Sequence, residues 1–205
     1  MKKALVLVDL QNDFIPGGSL AVREGDQVIP VANAAQKKKW DVIVATQDWH
    51  PKNHGSFASN HRGKHPGDMI ELGGLPQVLW PDHCVQGSRG AEFHAVLDRS
   101  RITKIFKKGT DPEIDSYSTF FDNAHRKSTG LGDWLKEQKI TDVYLLGLAT
   151  DYCVKYSALD SVHLGFKTHV IIDGCRGVEL EPGDTKKAVE EMKKAGVEIV
   201  SSGEL

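Results

Sequence analysis

The stretch "DVYLLGLATDYCVKYSALDSVHLGFKTHVIID", Asp142–Asp173, decides the fold. It opens on an apolar run at 142–148, ends on another at 167–173, and holds a helix-like segment at 151–164 between them. Nearly continuous runs of Val, Ile and Leu read as strands covered on both faces, the habit of a parallel sheet. The same unit recurs along the chain. Runs at 3–9, 41–47, 102–107 and 197–202 read as further strands, and segments near 26–39, 130–138 and 183–195 as helices. In the last of these Asp184 is the expected N-cap and Gly196 the stop before the next strand. The repeated order predicts an α/β fold with a doubly wound, mostly parallel six-stranded sheet and helices on both faces. No linker, repeat or low-complexity tract divides residues 1–205, so one domain is expected.

Residues 48–101 break the pattern, being dense in Gly, Pro, His and Asn with little periodicity. A loop region of that length inside a domain is usually functional. Composition excludes other classes. The formal net charge of -2 leaves no basic footprint for nucleic acid. No apolar run approaches the ~20 residues of a membrane span. The opening "MKKALVLVDL" imitates a signal peptide only until Asp9, so it reads as a first strand and the chain as cytoplasmic. Three widely spaced cysteines, Cys84, Cys153 and Cys175, argue against a disulfide framework and for reduced thiols. No exposed apolar stripe stands out, which leaves the question of a homo-oligomer open.

In open α/β sheets, ligands gather outside the carboxyl ends of the strands. Asp9 ends the first strand, Asp48 and His50 follow the second, Lys107 and Lys108 end the third, and Cys153 heads the helix after the fourth. A cysteine at a helix N-terminus is a candidate nucleophile, because thiol pKa values fall there. Asp9 could accept its proton, a lysine between them would favour both anions, and the tight "LATDYC" turn could offer backbone N–H groups to an oxyanion. Read singly, Lys108 is as compatible with a surface lysine and Cys153 with a packed helix residue; the convergence is the stronger signal.

A second group is Asp48-x-His50 with His83 of "WPDHCVQG". Residues i and i+2 of an extended segment point the same way, so a carboxylate and an imidazole can share one ion. Two imidazoles and one carboxylate with open positions suit Zn, Fe or Mn. His54 is either a further ligand or a donor to a metal-bound water. His61 and His65 read as exposed loop residues, and His94, His125, His163 and His169 as structural.

"VDLQNDF" with "GGSL", "DWHPKNHGSFAS", "WPDHCVQG", "KKGTD…DSYSTFFDN" and "GLATDYCV…DGCRG" together resemble the nicotinamidase (pyrazinamidase) family of isochorismatase-like cysteine hydrolases. The resemblance runs from the first strand to at least Gly177. It implies a triad of Asp9, Lys108 and Cys153, the family's lysine being the one directly before the Gly. It implies metal ligands Asp48, His50 and His83, with His54 a fourth ligand or a water partner. The oxyanion hole would be the amides of Ala149 and Cys153, the Leu148–Ala149 peptide is expected to be cis, and Phe14, Trp80 and Tyr117 would sandwich a pyridine ring. The implied reaction converts nicotinamide to nicotinate and ammonia through a cysteine thioester, a step of NAD salvage and pyridine nucleotide biosynthesis. Pyrazinamide would also be cut, and one divalent ion, zinc foremost and Fe or Mn otherwise, would be the cofactor. The stretch between Ser59 and Leu79 carries no assigned role, and Cys84 and Cys175 are expected to be structural. Two other readings stay open on the residues alone: a hydrolase whose nucleophile is metal-bound hydroxide, and a ligand-binding module on the same scaffold.

Overall fold

The computed structural model describes residues 1–205. In chain order the elements are β1 (Lys3–Val8), α1 (Val28–Gln36), β2 (Val42–Asp48), β3 (Met69–Leu72), β4 (Leu75–Val78), β5 (Lys104–Lys108), α2 (Leu131–Glu137), β6 (Asp142–Leu148), α3 (Lys155–His163), β7 (Lys167–Arg176), α4 (Asp184–Lys194) and β8 (Glu198–Val200). Six strands form one sheet in the order β5-β2-β1-β6-β7-β8, every ladder parallel. The expected sheet is therefore present, with parallel pairing throughout. β1 and β6 in the middle are almost wholly buried, which is why their sequences are unbroken apolar runs. β5 lies at one edge, with Phe106 and Lys108 buried and Lys104, Ile105 and Lys107 exposed.

Several boundaries differ from the pattern-based expectation. α1 ends at Gln36, so Lys37, Lys38 and Lys39 are exposed residues beyond its last turn. Gly183, with φ 94, occupies the N-cap of α4, and Asp184 is its first helical residue, its carboxylate accepting the Glu181 N–H at 2.9 Å. The 48–101 region contains the antiparallel pair β3–β4, which is short and half exposed, so its alternation is too brief to register as a strand signal.

The order of the sheet has one consequence for the site. From β1 the chain winds outward through β2 to β5, and from β6 it winds the opposite way through β7 to β8. The reversal lies between β1 and β6, the switch point at which α/β sheets open a crevice. Asp9 leaves β1 there at φ 50, and Ala149 leaves β6 beside it. Gly147, at φ 136, lets the two strand ends approach: a Cβ there would lie 2.0 Å from the Val8 carbonyl oxygen. A single core of apolar side chains, among them Leu5, Leu7, Leu145, Leu146 and Phe120, runs beneath this crevice.

Candidate active site

Cys153 sits in a π-helical turn, Thr150–Val154, that leads into α3. The turn is oriented by the Ala149 carbonyl, which accepts the N–H groups of Tyr152 (3.2 Å) and Val154 (3.0 Å), and the Leu148–Ala149 peptide is cis. Lys108, inward-facing on β5, places its ammonium among four acceptors. It pairs with Asp9 Oδ2 at 2.9 Å and with Asp48, donates to the Ser116 carbonyl at 3.0 Å, and lies 3.4 Å from Cys153 Sγ. The Asp9 contact is an ion pair by distance rather than an aligned hydrogen bond; the aligned partner of Asp9 is the Thr46 hydroxyl, 2.7 Å from Oδ1. All three side chains are buried. Asp9, Asp48 and Cys153 each bring one oxygen or sulfur atom to within 4.8 Å of the others.

Burial governs how these groups titrate. Burial would lower the Lys108 ammonium, but Asp48, Asp9 and Cys153 outweigh it and hold the pKa well above the ordinary lysine value. Burial raises Asp9, and Lys108 opposes it only in part, so Asp9 is a more avid proton acceptor than an ordinary carboxylate. Burial also raises Cys153 well above the ordinary thiol value in spite of Lys108. This reverses the expectation that the helix start would depress it: desolvation outweighs the dipole and the lysine. At rest Cys153 is a thiol with a base beside it.

The second group converges as well. Asp48, the last residue of β2, has Oδ2 3.7 Å from His50 Nε2 and 3.8 Å from His83 Nε2. His50 Nδ1 donates to the Gly109 carbonyl (2.8 Å) and His83 Nδ1 to the Pro81 carbonyl (2.8 Å). A carbonyl accepts only, so in the neutral rings both Nε2 atoms carry lone pairs facing the carboxylate, the tautomer a ligand needs. Gly109, at φ 63, permits this: a Cβ there would lie 2.3 Å from the His50 ring. Burial pushes His83 down to about 4, whereas Asp48 overcomes burial to raise His50, and Lys108 and the two histidines hold Asp48 below the usual carboxylate range. These residues therefore fit a divalent ion by donor chemistry and by proximity, their ligand atoms all lying within 4.8 Å of one another.

His54, its ring centroid 4.4 Å from that of His50, differs from these residues in its own hydrogen bonds. Its Nδ1 accepts the Ser56 backbone N–H at 3.2 Å and lies 2.7 Å from the Ser56 hydroxyl. A backbone N–H only donates, so the ring proton belongs on Nε2, and burial lowers the pKa to about 4, keeping the ring neutral. That buried Nε2–H has no protein partner.

Phe14, Trp80 and Tyr117 line one cavity with Asp48, His83, Ala149 and Cys153. Phe14 and His83 have ring centroids 5.6 Å apart, and the Tyr117 hydroxyl accepts from Gln77 Nε2 (2.9 Å) and Trp80 Nε1 (3.2 Å). Pattern reasoning missed four residues of this wall: Leu20, Asp115, Tyr152 and Val178. Tyr152 adjoins Cys153 in sequence, which is a usable signal, and its ring meets Trp80 at 5.0 Å. Asp115 is a buried carboxylate that joins His50 and His54 in a further group of close ligand atoms. Away from the cavity, Cys84 and Cys175 are buried free thiols that burial raises, as expected of structural cysteines. His65 is exposed, while His61 is half-buried and donates to the Gly55 carbonyl at 2.7 Å. No helix is long and apolar enough to cross a membrane.

The isochorismatase domain model matches residues 3–204. A nicotinamidase of Escherichia coli (strain K12) is 52% identical over 200 residues, covering 96% of this chain and 93% of its own length. The structure of an Acinetobacter baumanii nicotinamidase–pyrazinamidase superposes with TM-score 0.94 at 48% identity, covering 99% of this chain and 97% of that one. The pyrazinamidase of Pyrococcus horikoshii in complex with zinc superposes with TM-score 0.78 at 39% identity, covering 98% and 99%.

Proposed function

Since the chain belongs to the isochorismatase domain family, we propose that it is an amidohydrolase converting nicotinamide to nicotinate and ammonia through a thioester on Cys153. The observation that carries this reading is the meeting of Asp9, Lys108 and Cys153 beside an aromatic-walled cavity. Phe14, Trp80 and Tyr117 hold the ring. Asp9 takes the Sγ proton as sulfur bonds to the carboxamide carbon and the carbonyl pair moves onto oxygen. The oxyanion rests on the backbone N–H groups of Ala149 and Cys153. Collapse breaks the C–N bond, and Asp9 returns the proton to the departing nitrogen, which leaves as ammonia. Asp9 then deprotonates a water that attacks the thioester carbon; nicotinate departs and Sγ recovers its proton. Throughout, Lys108 keeps Asp9 and the sulfur in register and offsets their negative charge. Pyrazinamide, with the same carboxamide on a similar ring, is a second substrate.

Asp48, His50 and His83 are the residues that would hold a divalent ion, zinc in the first place and Fe or Mn as alternatives. Bound there, the ion supplies a Lewis-acidic point for orienting the pyridine ring. His54, whose Nδ1 accepts the Ser56 N–H and whose Nε2–H has no protein partner, serves in this reading as a donor beside the ion rather than as a fourth ligand. The deciding experiment is Cys153→Ala with the native chain as reference. The variant should bind nicotinamide without turnover, and a quenched native reaction should show the nicotinoyl mass on Cys153. Retained turnover, or a reaction that never loads Cys153, refutes the thioester route.

A further inference from the structure

Gln11 does not line the cavity, and it meets the triad only through its backbone, its N–H donating to the Asp9 carbonyl at 2.8 Å; its fully buried side chain makes three further hydrogen bonds. Its Oε1 accepts the Asp48 backbone N–H at 2.8 Å, and its Nε2 donates to the Asp48 carbonyl at 2.8 Å and the Ala91 carbonyl at 2.9 Å. The β1–β2 ladder has already ended at Leu7–Ala45, and the chain has turned off β1 at Asp9. The amide of Gln11 thus takes the place of the next peptide of β1 and pairs both backbone groups of Asp48 in a two-point clamp. Asp48 is where the two halves of the site join, one carboxylate oxygen meeting Lys108 and the other facing His50 and His83. Ala91 ties the clamp to the irregular region, because Gln47 Nε2 donates to the same carbonyl at 2.9 Å.

We infer that Gln11 is a positioning residue for the ion site: its amide holds the Asp48 backbone so that the carboxylate can reach an ion and Lys108 together. This rests on the ion site proposed above. Partners that orient a ligand in this way typically change metal affinity by about 10–100-fold when removed.

The test measures Zn²⁺ and Co²⁺ dissociation constants by competition with a chromophoric chelator, at a temperature where circular dichroism shows each protein folded. Gln11→Met keeps the length and loses all three bonds; roughly 10–100-fold weaker binding is expected. Gln11→Glu is the second variant and the sharper one. It adds a negative charge, which by Coulomb's law alone tightens cation binding, while its carboxylate oxygens repel the Asp48 and Ala91 carbonyls. Weaker binding by Gln11→Glu therefore has only displacement of Asp48 as its source. Gln36→Met is the control, since Gln36 is equally buried and bonds the Asp98 carbonyl at 2.9 Å from α1, away from the site; it should leave affinity unchanged. Unchanged or tighter binding in Gln11→Glu, or equal losses in the Gln11→Met and Gln36→Met variants, overturns the inference while leaving the ion site standing. A native chain that binds neither ion overturns the ion site and this inference with it.

Discussion

Replacing Lys108 with Met removes the one ammonium among Asp9, Asp48 and Cys153 while keeping a side chain of similar length. The structure sets the size of the effect. Both carboxylates are buried and pair with this Nζ, Asp9 at 2.9 Å, so the variant leaves two desolvated acids within 4.8 Å of each other. Removing one partner of a buried ion pair costs about 3–5 kcal/mol. For a chain of this size each kcal/mol moves the melting temperature by about 2–4 °C, so a fall of roughly 6–20 °C is expected at pH 8 without added metal. The pH dependence follows from Asp9. Its folded pKa is already raised by burial, and losing Lys108 removes what lowers it, raising it further. A group with a raised folded pKa stabilises most below its unfolded value, near 3.8 for Asp9, and loses that contribution as pH rises through the folded value. The gap between variant and native chain should therefore be widest at pH 8 and narrow as pH falls toward 5. Urea denaturation followed by tryptophan fluorescence across that range measures it. A variant as stable as the native chain at pH 8, or a gap that widens on acidification, would refute the assignment of Lys108 as the counter-charge to both acids.

Two further substitutions probe the supports of the site. Gly109→Ala forces a Cβ into the His50 ring at a left-handed backbone position; zinc affinity should fall at least tenfold, and an unchanged chelator-competition curve would show that His50 does not depend on this contact. Tyr117→Phe leaves the Trp80 Nε1–H without its acceptor, Gln77 keeping Val78 and Asp115, which costs about 1–3 kcal/mol and should raise KM for nicotinamide about tenfold with kcat little changed; a fall in kcat at constant KM would count against a ring-holding role.

Much of the site could be read along the chain because the fold puts chemistry at strand ends. Asp9, Asp48 and Cys153 each follow directly from where an apolar run stops, and parallel strands bring their carboxyl ends to one rim. The choice between Lys107 and Lys108 was of another kind. Alternation on an edge strand turns one of them inward, but which one depends on register: β5 pairs Lys108 with Asp48, while Lys107 lies outside with its Nζ 3.5 Å from the Trp49 ring centroid. The histidines proposed to hold the ion, His50 and His83, were legible through spacing, but the ring tautomer of His54 was not. It turns on which ring nitrogen meets the Ser56 N–H, a contact two residues away that spacing does not reveal. Asp115 and Gln11 lie within motifs that carry the resemblance but received no role along the chain, since a carboxylate and an amide in polar loops look like ordinary surface residues until the tertiary contacts bury them.

By itself, then, the sequence determined the six-stranded sheet, the chain order of its strands and helices, and the residue types delivered to the rim, because these follow from apolar periodicity and from where each run ends. The tertiary structure alone decided the protonation of the thiol, the tautomers of the histidines and the two-point clamp on Asp48. Those depend on desolvation and on hydrogen bonds between segments far apart in the chain, which come into being only when β1, β2, β5 and β6 are brought side by side.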